Sequence, residues 1–252
     1  MNNLKNSTMN LIFDLGNTTQ KMAVMSSGEV VDRVKKTQIE AEDIASFVER
    51  YRPQHAILSS VAGETAEIVG FLEGRMPLLT LSCRTAIPIR NEYKTPHTLG
   101  SDRLACAVAA EALFPRQSVL VLQMGTCITS DFITEGTYLG GTISPGLEMR
   151  LNALHHFSAR LPLVASSSVD FFRGTTTEES ILAGIICGME DECNGMIARY
   201  RDAYPSLKII LTGGDAKLFE NRIKNEIFAI DNLVLIGLNV ILNYNVENKK
   251  NM

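Results

Sequence analysis

Few of the residues that build metal clusters or nucleophilic triads are present in this chain. Its 252 residues hold four histidines and five cysteines, and no serine stands in a G-x-S-x-G context. His55, His97, His155 and His156 fall on a strand start, a loop and a helix, so hydrolysis by a nucleophilic triad has no support. Cys83, Cys106, Cys127, Cys187 and Cys193 form no C-x-x-C pair and mostly sit among apolar neighbours. They read as small core residues in a reducing compartment. Cys187 and Cys193 lack the nearby histidine or second cysteine pair that zinc would need. Basic runs are absent beyond Lys35-Lys36 and Lys249-Lys250, and the net charge is −4, so nucleic acid is not an expected partner. No apolar run approaches the roughly 20 residues of a membrane span. Met1 to Ser7 is polar with no apolar signal core after it, so a soluble, cytoplasmic protein is expected.

What is present begins with Met9 to Lys21, MNLIFDLGNTTQK. Leu11, Ile12 and Phe13 read as a buried strand, Asp14 puts a carboxylate at its end, and Gly16 lets the backbone turn where a Cβ would obstruct a ligand. Asn17 and Thr18 follow as small polar donors. A carboxylate beside amides and hydroxyls suits Mg²⁺ and phosphate oxygens together. An ordinary hairpin turn uses the same residue types.

The chain is 45% hydrophobic, enough for two modest cores. Gln20–Met25 and Glu29–Val34 flank the turn cluster Ser26-Ser27-Gly28 and complete an antiparallel meander. Glu40 to Arg52 carries Ile44, Phe47 and Val48 at helical spacing and is stopped by Pro53. HAILSS, from His55, is a further strand, and Glu64 to Leu72 a further helix. This βββαβα order is the core shared by actin, hexokinase and the heat-shock chaperone ATPases. Pro88 to Gly100 is a long loop containing Tyr93, delivering the chain to Ser101-Asp102-Arg103 at the start of an Ala-rich helix. The polar break Pro115 to Gln117 divides an N-terminal lobe, residues 1–115, from a C-terminal lobe, residues 116–252.

The opening theme then recurs. Setting LIFDLGN, from Leu11, beside LVLQMGT, from Leu120, aligns Asp14 with Gln123, Gly16 with Gly125 and Asn17 with Thr126. Thr126–Ile133 and Thr137–Ile143 form a second meander, and Gly140-Gly141 and Ser144-Pro145-Gly146 mark sharp turns or close backbone approach. Leu147 to Phe157 reads as a helix and Val164 to Gly174 as a Ser-rich loop. The long helix Glu178 to Tyr200 carries Gly184, Gly188 and Gly195, whose cost of about 1 kcal/mol each suggests close packing against another helix, in this chain or a second subunit. Leu207 to Leu211 ends in Thr212-Gly213-Gly214-Asp215, and Asp231 to Val246 is the closing helix. Three glycine-turned strand ends, at Gly16, Gly125 and Gly213-Gly214, offer a nucleotide backbone contacts from separate strands. Phosphoryl transfer then needs one base for the acceptor hydroxyl. Asp102, in a first helical turn, is the natural candidate, with Arg103 available for an anionic group.

In order, these motifs resemble the type III pantothenate kinases, ASKHA-superfamily enzymes that phosphorylate pantothenate in the first step of coenzyme A biosynthesis, a family also carrying the Bvg accessory factor name. The resemblance runs from Leu11 to about Asn243. It rests on Asp14-x-Gly16-Asn17-Thr18 with Lys21, Asn91-x-Tyr93 through Pro96, Gly100-x-Asp102-Arg103, and Gly125-Thr126 with Thr129 and Asp131. Gly140-Gly141 with Pro145-Gly146, Leu161-Pro162, Gly174 with Thr177, and Thr212-Gly213-Gly214-Asp215 complete it. It implies an α/β, two-lobed actin-like ATPase (ribonuclease H-like) fold, with duplicated βββαβα lobes and the active site in the cleft. It also implies that Asp14, Gly16, Asn17, Thr18 and Lys21 serve ATP phosphates and Mg²⁺, and that Gly125, Thr126, Gly213 and Gly214 form further phosphate loops. Asp102 would be the general base, and Tyr93, Gly100, Ser101 and Arg103 would line the pantothenate pocket. The family is homodimeric, with Thr177 acting across the interface, and uses a monovalent cation, K⁺ or NH₄⁺. Where the family has Asp-x-Gly-Thr, this chain has Gln123-Met124-Gly125-Thr126, so a cation held there should bind more weakly. Two rivals are weighed: an N-acetylhexosamine kinase, which would bring a sugar-binding acid and a Cys/His cluster not visible here, and a catalytically weakened nucleotide-binding regulator of the same fold.

Overall fold

The computed structural model describes residues 8–61 and 65–250. The chain divides into two compact units, residues 1–115 with 232–252 and residues 116–231.

In the first unit, β1 (Met9–Leu15), β2 (Gln20–Ser26), β3 (Glu29–Lys36), β4 (His55–Ser60) and β5 (Leu78–Thr80) form one sheet in the order β3-β2-β1-β4-β5. β1 runs antiparallel to β2 and parallel to β4. Leu11, Ile12 and Phe13 are fully buried, which explains why this strand is a continuous apolar run and not an alternating one. Leu11, Phe13 and Leu15 share a core with Ile44 of α1 (Ala41–Tyr51) and with Ile68 and Leu72 of α2 (Ala66–Leu72). α1 starts with Asp43 accepting from the Glu40 N–H at 3.1 Å and ends at Arg52, in left-handed geometry just before Pro53. Glu64, read as the start of the second helix, lies outside the described residues. The loop from Pro88 contains β6 (Arg90–Asn91) and a 3₁₀ turn, Pro96–Thr98, before α3 (Ser101–Leu113).

The second unit repeats the plan. β7 (Val119–Met124), β8 (Cys127–Thr134) and β9 (Thr137–Pro145) make the meander, followed by α4 (Leu147–Phe157), α5 (Thr177–Ala203), β10 (Lys208–Thr212), α6 (Ala216–Phe219) and β11 (Phe228–Ala229). Among the strands of this unit the order β9-β8-β7-β10-β11 repeats β3-β2-β1-β4-β5 of the first. Gly140 and Gly141, read as turn or close-approach glycines, lie within β9; a Cβ at Gly141 would strike the Ser130 backbone, whereas Gly140 has a φ of +102° where the β8–β9 register shifts.

Two expectations change. The closing helix, α7 (Leu233–Lys250), belongs to the first unit, although residues 116–252 were expected to form one lobe. α7 packs along α3, where Ala105, Ala107, Ala109 and Ala110 are fully buried and leave room for it; a Cβ at Gly237 would run into the Ala105 carbonyl oxygen. It also reaches β1, where Asn10 Nδ2 donates to Asn239 Oδ1 at 2.7 Å and to Asn243 Oδ1 at 2.8 Å. Second, of the two causes expected for the glycines of α5, packing within the chain falls away and packing against a second subunit is left: among the described residues nothing lies within 4 Å of where a Cβ would stand at Gly184, Gly188 or Gly195.

Candidate active site

The first centre grows from the end of β1. Asp14 pairs across the sheet with Lys21 of β2 and with Ser59 of β4. It is 8% exposed, and Lys21 Nζ reaches its Oδ2 at 3.4 Å. Burial pushes the Asp14 carboxyl above the usual carboxylate range; Lys21 draws it back, and the neighbouring charge of Asp102 pushes it up again. Gly16 closes the hairpin, its N–H donating to the Thr19 carbonyl at 3.1 Å, where a Cβ would stand 2.9 Å from that oxygen. Asn17 and Thr18 are exposed at the turn.

Asp102 reaches the same neighbourhood by a route the sequence did not reveal. Ser59, at the end of β4 beside Asp14, donates its hydroxyl to Ser101 Oγ at 2.8 Å, tying the start of α3 to the sheet. Asp102 follows in the first turn of α3. A Cβ at Gly100 would stand 2.7 Å from Asp102 Oδ1, so glycine leaves the carboxylate room. Arg103 is 4% exposed, its guanidinium 5.8 Å from the centroid of the Tyr93 ring. The Tyr93 N–H donates to Asn91 Oδ1 at 2.9 Å. Asp14, Lys21, Tyr93, Gly100, Ser101, Asp102 and Arg103 thus all belong to the first unit.

The second centre gathers backbone. The Gly125 N–H donates to the Cys127 carbonyl at 3.0 Å, closing the β7–β8 turn. Gly213, with φ of +106°, lies against the Met124 carbonyl where no Cβ would fit, and the Asp215 N–H donates to that carbonyl at 3.1 Å. Gly146 packs against the turn from β9, its N–H donating to the Thr126 carbonyl at 3.0 Å. Gly125-Thr126, Gly146 and Gly213-Gly214 therefore converge within the second unit. Gln123 sits where Asp14 sits in the first sheet, paired with Thr129 of β8 and Thr212 of β10. Thr129 donates to buried Asp131 Oδ2 at 3.3 Å, and Tyr138 donates to Asp131 Oδ1 at 2.6 Å. Thr177 opens α5 and lines a groove of about 1030 Å³ with Leu154, Phe157, Leu161 and Ile181.

Among the described residues no three His, Cys, Asp or Glu side chains group to form a metal cage. Mg²⁺ needs none, because it binds through one or two carboxylates plus substrate phosphates, and Asp14 near Asp102 supplies hard oxygens of that kind. Gln123, Thr129 and Thr212 offer a cation only neutral side-chain oxygens, a weaker donor set. No helix among the described residues is long and apolar enough to cross a membrane.

Two units of one strand order, each with a glycine-turned hairpin, define a two-lobed actin-like ATPase and sugar-kinase fold. The activator of the 2-hydroxyisocaproyl-CoA dehydratase from Clostridium difficile, solved with bound ADPNP, shares it at TM-score 0.53 and 12% identity, over 98% of each chain. The model of the type III pantothenate kinase family matches residues 10–199. A type III pantothenate kinase of Phocaeicola vulgatus is 44% identical over 94% of this chain and 99% of its own length, and one from Cytophaga hutchinsonii is 42% identical over 94% and 100%. The chain belongs to the type III pantothenate kinase family.

The state of Asp14 has a measurable sign. A carboxyl whose folded pKa lies above its unfolded value holds its proton more tightly in the native state, so ionising it lowers stability as pH rises above the ordinary aspartate value of 3.8. Asp14→Asn removes that penalty. Its Tm should exceed that of the wild type at pH 7, the gap closing toward pH 4, while turnover falls by about a hundredfold or more. A Tm at pH 7 equal to or below the wild type's would overturn the burial argument.

Proposed function

We propose that Asp102 is the general base with which this chain phosphorylates pantothenate. As a member of its family the chain is an ATP-dependent kinase that converts pantothenate to 4′-phosphopantothenate, the first step of coenzyme A biosynthesis. The observation that carries the assignment is the Ser59–Ser101 hydrogen bond, which brings the start of α3, and so Asp102, beside the strand that flanks Asp14. One carboxylate then serves the phosphates and the other the acceptor. Asp102 takes the proton of the pantothenate hydroxyl as its oxygen bonds to the γ-phosphorus, and the bond from that phosphorus to the bridging oxygen of ADP breaks. Tyr93, Gly100, Ser101 and Arg103 hold pantothenate, Arg103 facing its carboxylate. Lys21, Asn17 and Thr18 after the Gly16 turn hold phosphate, as do the amides of Thr126, Gly213 and Gly214 beside the Gly125 turn; the N–H groups of Gly16 and Gly125 themselves close the two turns. Mg²⁺, held through Asp14, neutralises phosphate charge when bound. Asp102→Asn should retain binding of ATP and pantothenate while kcat falls by about 10²–10⁴-fold; normal turnover in that variant would refute the role.

The second centre bears on the monovalent cation. With Gln123 neutral, K⁺ or NH₄⁺ binds weakly beside Gly125 and activates little. Gln123→Asp should increase both the response of turnover to KCl and the Tm rise on replacing choline chloride with KCl at fixed ionic strength. An unchanged response in both sinks the idea.

The chain works as a homodimer, with Thr177 directed at pantothenate bound to the partner subunit. Support comes from Phe157, 85% exposed at the groove that Thr177 lines, and from the open glycine positions of α5. Sedimentation equilibrium should give twice the chain mass for the wild type and a monomer for Phe157→Asp. A monomeric wild type at assay concentration would exclude this arrangement.

A further inference from the structure

We propose that Arg150 and Glu192 are positioning residues for the Gly125-Thr126 loop, an ion pair that sets where the backbone of that loop stands. The proposal rests on the reading of that loop as a nucleotide phosphate site. Its first step is the turn itself, whose place is fixed from the β9 side by Gly146. The Gly146 N–H donates to the Thr126 carbonyl at 3.0 Å, and a Cβ on Gly146 would collide with the Gly125 and Thr126 carbonyl oxygens. Any movement of Pro145-Gly146 is therefore a movement of the turn.

The second step is what holds Pro145-Gly146. The end of β9 pairs Ser144 with Ile128 and Pro145 with Cys127, and proline brings no N–H of its own to that ladder. Two side chains from different helices supply the missing restraint. Arg150, one turn into α4, donates from Nε to the Pro145 carbonyl at 2.7 Å. Its Nη2 donates to Glu192 Oε2 of α5, and Ser144 Oγ donates to Glu192 Oε1. One ion pair thus grips both final residues of β9. The two side chains are 23% and 27% exposed, so the pair is shielded from salt more than a surface pair would be. Neither group touches the turn; each acts through Ser144, Pro145 and Gly146.

A role confined to joining α4 to α5 would lower stability and leave ligand affinity alone. An internal control exists in Arg222 and Glu190, an ion pair at 3.2 Å whose acid also lies on α5, with each side chain 20% exposed and neither bonded to β9. The experiment titrates the full-length protein with AMP-PNP and Mg²⁺ by calorimetry, and measures Tm and the KM values for ATP and pantothenate. Arg150→Met should raise the AMP-PNP Kd and the ATP KM about tenfold, with the pantothenate KM unchanged. Arg150→Lys keeps the pair with Glu192 but not the Nε bond to Pro145, and should lie between; it also serves if Arg150→Met fails to fold. Arg222→Met should lower Tm without changing nucleotide affinity. Nucleotide affinity in Arg150→Met and Arg150→Lys equal to the wild type's, or an equal loss in Arg222→Met, would overturn the proposal. A wild-type protein that does not bind AMP-PNP would instead overturn the phosphate-loop reading, and the proposal with it, before any variant is compared.

Discussion

Everything at the first centre follows from putting a carboxylate on a strand that is buried on both sides. Taking a charge out of water costs several kcal/mol unless partners compensate. Asp14 is compensated only in part, because Lys21 is itself partly exposed while Asp102 adds like charge. The hairpin returning through Lys21, the hydroxyl tie between β4 and α3, and the glycine beside Asp102 all serve to hold two acids that would otherwise separate. Two acids held this close leave an electrostatic cost that a nearby positive charge would relieve.

The second sheet solves the same topological problem with another chemistry. Its central strand ends in Gln123 in place of an acid, and its turn is shaped by two glycine-dependent contacts of backbone on backbone, at Gly146 and Gly213. The one buried carboxylate nearby, Asp131, is engaged by Tyr138 and Thr129. The first unit therefore carries a pair of acids at its strand end and the second a turn of closely packed backbone.

Much of this was legible in the residues. The β1 run could be read because a strand buried on both faces leaves no alternation, and the echo of LIFDLGN in LVLQMGT could be read because the same strand order needs the same turn. Asp102 stood out because an acid in a first helical turn was followed at once by arginine. Ser59 did not, since a serine closing an apolar strand has no local signal; its meaning lies in a contact 42 residues away along the chain. Arg150 and Glu192, likewise 42 residues apart, were silent for the same reason. The placement of α7 was missed because nearness in sequence to β10 argued for the second lobe, whereas the small side chains of α3 that accept α7 lie more than a hundred residues earlier.

That placement orders events during synthesis. The second unit, residues 116–231, has its whole sheet in hand before α7 is made, whereas the first must wait, its β1 lacking the partners that Asn239 and Asn243 give to Asn10. A ribosome therefore finishes the middle of this chain first and the opening strand last. Until α7 emerges, the strand that carries Asp14 has an uncovered face, the state in which chaperones and proteases would meet it.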